Sequence, residues 1–170
     1  MIAAELNGFV KARRLPAVAV LVPEVREFPV RMRWQLPQRW VGKSGVEPLF
    51  AAKAQPGEHF TFQLAIVNVQ PSKTIQVQNV QFTALQAQGE GQGGSMIPGS
   101  SLRCMNLGGR DFWGRNFSSG PLELVAGEVK ALWVAVVVDS ALAAGVYKGM
   151  ASVSVSTMSL GSTSSSSTTS

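Results

Sequence analysis

The stretch from Glu58 to Val69, Glu-His-Phe-Thr-Phe-Gln-Leu-Ala-Ile-Val-Asn-Val, constrains this chain more than any other. Phe60, Phe62, Leu64 and Ile66 share one parity, and His59, Thr61, Gln63 and Ala65 share the other. Successive side chains of an extended backbone point to opposite faces, so the alternation predicts a half-buried β-strand with its phenylalanines inward. Pro56-Gly57 is a turn dipeptide, and Leu49 to Ala54 is the strand expected to lead into it.

The same reading continues along the chain. From Thr74 to Leu85, Ile75 and Val77 share a face, after which Val80, Phe82 and Ala84 take the opposite parity. A one-residue slip of this kind is produced either by a β-bulge or by two strand pieces that switch sheets at Asn79. Gly89-Glu90-Gly91-Gln92-Gly93-Gly94 fails as a phosphate loop, because no helix signal follows and Pro98 intervenes; it reads as a hairpin or inter-sheet loop. Further strands are expected at Ser101 to Asn106, Pro121 to Val125, Val129 to Val138 and Val146 to Ser156, with a long loop from Leu107 to Gly120 and a turn at Ala126-Gly127. The Val129 strand is apolar on both faces, which marks a central strand. In the last strand Tyr147, Ala151, Val153 and Val155 should point inward, and Lys148, Ser152 and Ser154 outward.

No segment has a good helical period except for a frayed turn within Met1 to Ala12. The expectation is an all-β fold: an antiparallel β-sandwich of immunoglobulin-like or jelly-roll-like two-sheet architecture over residues 21–156. Residues 1–20 form an N-terminal extension. From Ser156 to Ser170, twelve of fifteen residues are Ser or Thr, so residues 157–170 are expected to be a disordered tail that cannot bury a core.

Several function classes are disfavoured by composition. The net charge of +5 is uneven: between Lys11 and Lys53 nine Lys/Arg meet only Glu24, Glu27 and Glu47, and the remainder of the chain is slightly acidic. Arg31 and Arg33 share a strand face, but no basic run is interleaved with aromatics as a nucleic-acid platform requires. Cys104 is the single cysteine and His59 the single histidine, so neither a disulfide framework nor a multi-cysteine metal site is available. Cys104 reads as a buried small hydrophobe and His59 as a solvated residue; no cofactor is expected. The apolar run Pro16 to Val22 is far shorter than the ~20 residues of a membrane span and resembles no signal peptide. The ten acids are scattered: Glu24 and Glu27 should face opposite ways, and Asp111 has no acidic neighbour. Glycosidic hydrolysis normally needs two carboxyl groups facing the sugar, or one with substrate assistance, and no such site is expected in this chain.

Three groups of segments, read in order, carry a resemblance. They are Pro23-Glu24-Val25-Arg26-Glu27-Phe28-Pro29-Val30-Arg31-Met32 with Leu36-Pro37-Gln38-Arg39-Trp40; Pro56-Gly57-Glu58-His59-Phe60-Thr61-Phe62-Gln63-Leu64; and Ile97-Pro98 through Cys104-Met105-Asn106-Leu107-Gly108-Gly109-Arg110-Asp111-Phe112-Trp113-Gly114. The last continues into Leu132-Trp133-Val134 and Ala144-Gly145-Val146-Tyr147-Lys148-Gly149. Together they resemble the non-catalytic β-sandwich that precedes the barrel in glycoside hydrolase family 123-type proteins. The resemblance implies release of N-acetylgalactosamine by an Asp-Glu pair on the following (β/α)-barrel, assisted by the substrate's acetamido group. No residue of this sequence inherits that catalytic role. The implied partner is the barrel, or a glycan should the domain act alone as a binding or adhesive module.

The loop from Asn106 to Phe117 is the candidate contact surface, with Asn106, Asp111, Trp113 and Arg115 as the residues named for a carbohydrate or a barrel. A tryptophan beside polar amides suits the C–H face and hydroxyls of a sugar ring. Two other roles are open: Phe112 and Trp113 plugging the end of the sandwich while Asp111 holds the turn, or the loop docking on a barrel. Trp34 and Trp40 are assigned to core or inter-domain packing. Asn116-Phe117-Ser118 is also a glycosylation sequon.

Overall fold

The alternating segment is a strand in the structure, a computed structural model that describes residues 19–26, 49–89, 94–110, 115–117, 120 and 122–158. In chain order the strands are β1 (Ala19–Val25), β2 (His59–Asn68), β3 (Thr74–Phe82), β4 (Leu85–Gln88), β5 (Met96–Ile97) and β6 (Leu102–Cys104). They continue as β7 (Gly109–Arg110), β8 (Asn116–Phe117), β9 (Leu122–Leu124), β10 (Val129–Val137), β11 (Val146–Lys148) and β12 (Ala151–Met158). There is no α-helix among the described residues. All pairings are antiparallel, in sheets ordered β1-β2-β10-β6, β12-β3-β9 and β11-β4-β5, with β7-β8 as a separate ladder.

One core joins these layers. Phe62, Leu64 and Ile66 of β2 and Leu132, Val134 and Val136 of β10 cluster with Ile75 and Val77 of β3, Leu124 of β9 and Ile97 of β5. The four-stranded sheet therefore packs its apolar face against the two three-stranded sheets, as a sandwich does. Burial of each large aliphatic side chain contributes about 1.5–3 kcal/mol relative to exposure. The expected antiparallel all-β architecture is what forms, and β10 is central, flanked by β2 and β6.

The two three-stranded sheets form one bent layer. β3 passes into β4 across Thr83 and Ala84, and β11 passes into β12 across Gly149 and Met150. At this bend Thr83 N donates to Met150 O (2.9 Å) and Met150 N donates to Thr83 Oγ1 (2.8 Å). The chains approach so closely that a Cβ on Gly149 would lie 2.5 Å from Leu85 Cδ2 and 2.9 Å from Ala84 O. Gly149→Ala is therefore expected to lower stability by about 1–3 kcal/mol through overpacking at the bend. Urea denaturation measures this, with the exposed Lys148→Ala as a near-neutral control.

The phase slip after Val77 resolves as a bulge. Val155 pairs with Val77 and Ser154 with Asn79, leaving Gln78 as the extra residue on β3. Ile75 and Val77 before it, and Val80 and Phe82 after it, consequently all turn toward the core. The glycine-rich segment is flanked by a hairpin in which Leu85 pairs with Ile97 and Gln86 with Met96. Gly127 adopts φ 75° in the expected turn before β10, a conformation that other side chains resist.

Elsewhere the structure departs from the expectations. Residues 49–54 form no strand: Leu49 is 89% exposed, and Phe50 anchors the segment by stacking on Phe62 at 4.9 Å. β2 is not half-buried, since Gln63, Ala65 and Val67 on its second face are fully buried. The second face of β10 is less buried than its composition suggests, with Trp133 and Ala135 half-buried and Val137 44% exposed. The final strand is two strands in two sheets; Ala151 is exposed rather than inward, and β12 runs through Met158, past the expected boundary at Ser156. The loop after Leu107 contains the β7-β8 ladder. Glu27, Arg31, Arg33, Trp34, Trp40, Asp111, Phe112, Trp113, residues 1–18 and residues 159–170 lie outside the described residues.

Candidate functional site

The candidate loop begins where β6 leaves β10. The two strands pair at Leu102↔Val136, Arg103↔Ala135 and Cys104↔Val134. Met105 N then donates to Trp133 O (2.7 Å). Beyond it the backbone diverges and the Asn106 side chain takes over the ladder: Oδ1 accepts from Trp133 N (2.9 Å) and Nδ2 donates to Ala131 O (2.7 Å). The amide thus stands in for a peptide group of a strand that has ended. An amide can accept and donate at once, and a carboxylate can only accept. Asn106→Asp is therefore expected to keep the Trp133 bond, orphan Ala131 O, and lower stability by about 1–3 kcal/mol in a denaturant titration.

Next, Leu107 packs on the core, and the chain enters the ladder Gly109↔Phe117 and Arg110↔Asn116. Arg115 and Asn116 are exposed at this hairpin. Of the four residues singled out in the sequence, Asn106 is directed back to β10 and Arg115 outward, while Asp111 and Trp113 are not among the described residues.

Beside the loop lies an open recess of about 270 Å³ between β6 and β3. Its floor is apolar (Val80, Phe82, Leu102, Leu107), and the exposed Asn79 and Arg103 contribute polar atoms at its sides. β9 pairs with β3 only at Ile75–Val77, so the β3 edge beyond the bulge has no pairing strand there among the described residues. Asn79 and Arg103 escaped sequence reasoning because they belong to strands of different sheets, and no local spacing links them. Cys104 also lines the recess; it is half-buried rather than buried, and packs against the core. Burial raises its thiol pKa, outweighing the lowering effect of backbone hydrogen bonds at Asn106 and Leu107. The thiol therefore stays protonated at neutral pH, and the protonated form is a poor nucleophile.

Three of the described acids are occupied with backbone turns. Glu58 Oε2 accepts from Gln55 N (2.7 Å), and Asp139 Oδ1 accepts from Ala141 N (2.8 Å). Glu128 Oε2 accepts from Val125 N (3.0 Å), with Lys130 Nζ 3.7 Å from its other oxygen. No group of three or more His, Cys, Asp or Glu able to hold a metal occurs among the described residues. His59 is exposed on β2, opposite Val137, as the alternation suggested. No helix of the described residues is long and apolar enough to cross a membrane.

The sequence matches no protein-family model and no curated protein. Among solved structures, the chain is similar to a family 123 glycoside hydrolase from Clostridium perfringens studied for glycolipid glycan hydrolysis. The match covers 61% of this chain at 14% sequence identity with a TM-score of 0.45. It covers 19% of that protein's own chain.

Proposed function

We propose that this chain is an accessory β-sandwich of the kind that supports a glycoside hydrolase barrel acting on N-acetylgalactosaminides, and that it hydrolyses no glycosidic bond itself. The observation that carries the reading is the use of three of the five described carboxylates: Glu58, Glu128 and Asp139 each accept a backbone N–H in a separate turn. Groups spent on turns are poorly placed to flank a sugar as a cooperating pair. The ordered run of family-like segments supplies the hydrolase context. Incubating the purified chain with chromogenic N-acetylgalactosaminides should release no chromophore. Turnover that persists through purification and disappears in Asp111→Ala contradicts the proposal.

The exposure of Arg115 and Asn116 favours a second use, glycan contact by the β7-β8 hairpin together with Asp111 and Trp113. Under that reading millimolar galactosamine-type glycan shifts the tryptophan emission and Trp113→Ala abolishes the shift. A flat titration counts against it. Asn106 enters either role by fixing the root of the hairpin on β10.

A further inference from the structure

We propose that β12 is a self-pairing edge, through which two copies of this chain join antiparallel to make one continuous sheet across a two-fold axis. The edge of a sheet presents unpaired N–H and C=O groups, and folds that stay monomeric blunt it with short strands, charges or proline. Among the described residues the other edges of the two layers are blunted in this way. β6, β9 and β11 have three residues each and carry Arg103, Glu123 and Lys148, and β5 has two residues. β1 is seven residues long but contains Pro23 and Glu24. β12 has eight residues, Ala-Ser-Val-Ser-Val-Ser-Thr-Met, without a charge or a proline, and among the described residues it pairs on one side only, with β3. The bulge lies on β3, so β12 itself runs regularly.

The side chains of β12 are self-complementary. Val153 and Val155 pack on the core but remain half-exposed, and Ser152 and Ser154 are exposed on the outer face. Residues directly opposite in an antiparallel pair point to the same face, so Ser154 can oppose Ser154 of the second copy. That register sets Val153 against Val155 on the inner face, and Ser152 against Ser156 and Met150 against Met158 on the outer face. It also brings together two methionines that are 73% and 42% exposed in the single chain. A slip by one residue sets valine against serine and puts the two cores on opposite sides of the joint sheet. The proposal goes beyond the accessory role and does not depend on it.

Sedimentation of the chain at micromolar concentration should give the dimer mass. Ser154→Lys places two like charges opposite each other at the axis and should raise the dissociation constant about fivefold, with a melting profile that matches the wild type only at dilutions where both are monomeric, because Ser154 is exposed in the single chain. Mixing Ser154→Lys with Ser154→Glu should restore the dimer. Under mild oxidation Ser154→Cys should cross-link to itself, since opposite Cα atoms lie about 4.5–5.5 Å apart, within disulfide reach. Ser152→Cys should not, being about 13 Å from its own counterpart. A monomer at every concentration, a dimer indifferent to Ser154→Lys, or equal cross-linking of the two cysteine variants overturns the proposal.

Discussion

Leu132→Ala is expected to lower the unfolding free energy by about 3–4 kcal/mol, near the upper part of the range for a leucine deleted from a rigid core. Leu132 is fully buried on the central strand, paired opposite Leu64 and clustered with Ile66, Ile75 and Leu124. β2 on one side and the Asn106 side chain on the other hold the backbone, so the neighbours have little freedom to collapse into the space left behind. The melting temperature should fall by roughly 10 °C for a domain of this size. Val137→Ala, on the same strand but at a site 44% exposed, should cost less than about 1 kcal/mol. Equal losses at the two positions would contradict the assignment of the buried face.

Asn68→Ala should cost about 3 kcal/mol, by a different mechanism. The Asn68 side chain is fully buried at the end of β2. Its Nδ2 donates to Lys73 O (2.8 Å) and Leu124 O (2.9 Å), and its Oδ1 accepts from Gln70 N (2.9 Å). Its backbone is bonded at both ends to the turn before β10: Asn68 N donates to Glu128 O, and Gly127 N donates to Asn68 O. One amide therefore joins the two layers of the sandwich at this end. Truncation leaves an N–H and two carbonyls short of a partner, and each such group costs about 1–3 kcal/mol where water cannot reach it. Asn68→Asp retains the acceptor and loses both donated bonds, so guanidinium titrations should place it between the wild type and alanine, or below alanine if the buried charge dominates. A loss under about 1 kcal/mol for Asn68→Ala would show that water replaces these bonds.

The strands were legible where the pattern is local. Phe60, Phe62, Leu64 and Ile66 announce β2 by period alone; the parity change after Val77 announces an irregularity, a bulge or a sheet switch at Asn79, and the pairing with β12 makes it a bulge at Gln78. What is not legible depends on residues distant in sequence. Leu49 to Ala54 has the composition of a strand, yet a strand needs a partner, and the segment meets the core through Phe50 without pairing. Gln63 looks like a solvent residue; it is fully buried, and its Nε2 donates to Arg26 O at 3.4 Å across 37 positions. Gly149 was visible in the sequence, but the division of one strand into two at that glycine follows from its contact with Thr83, Ala84 and Leu85, 64 or more positions earlier. The same holds at the candidate loop. Asn106 reads in the sequence as a polar loop residue, and its amide completes the β6-β10 ladder because β10 lies alongside. Chemistry could be read from the residue, and geometry only from its neighbours.

The placement of β10 between β2 and β6 decides which face is core, where Asn106 is held and which edges remain open. Nuclear Overhauser measurements on the isotope-labelled chain test it most directly. Val134 should show cross-strand contacts to both Phe62 and Cys104, the residues paired with it on either side. Contacts to one of them alone, or the sequential amide–amide pattern of a helix through Leu132 to Val136, would contradict the fold on which the functional reading rests.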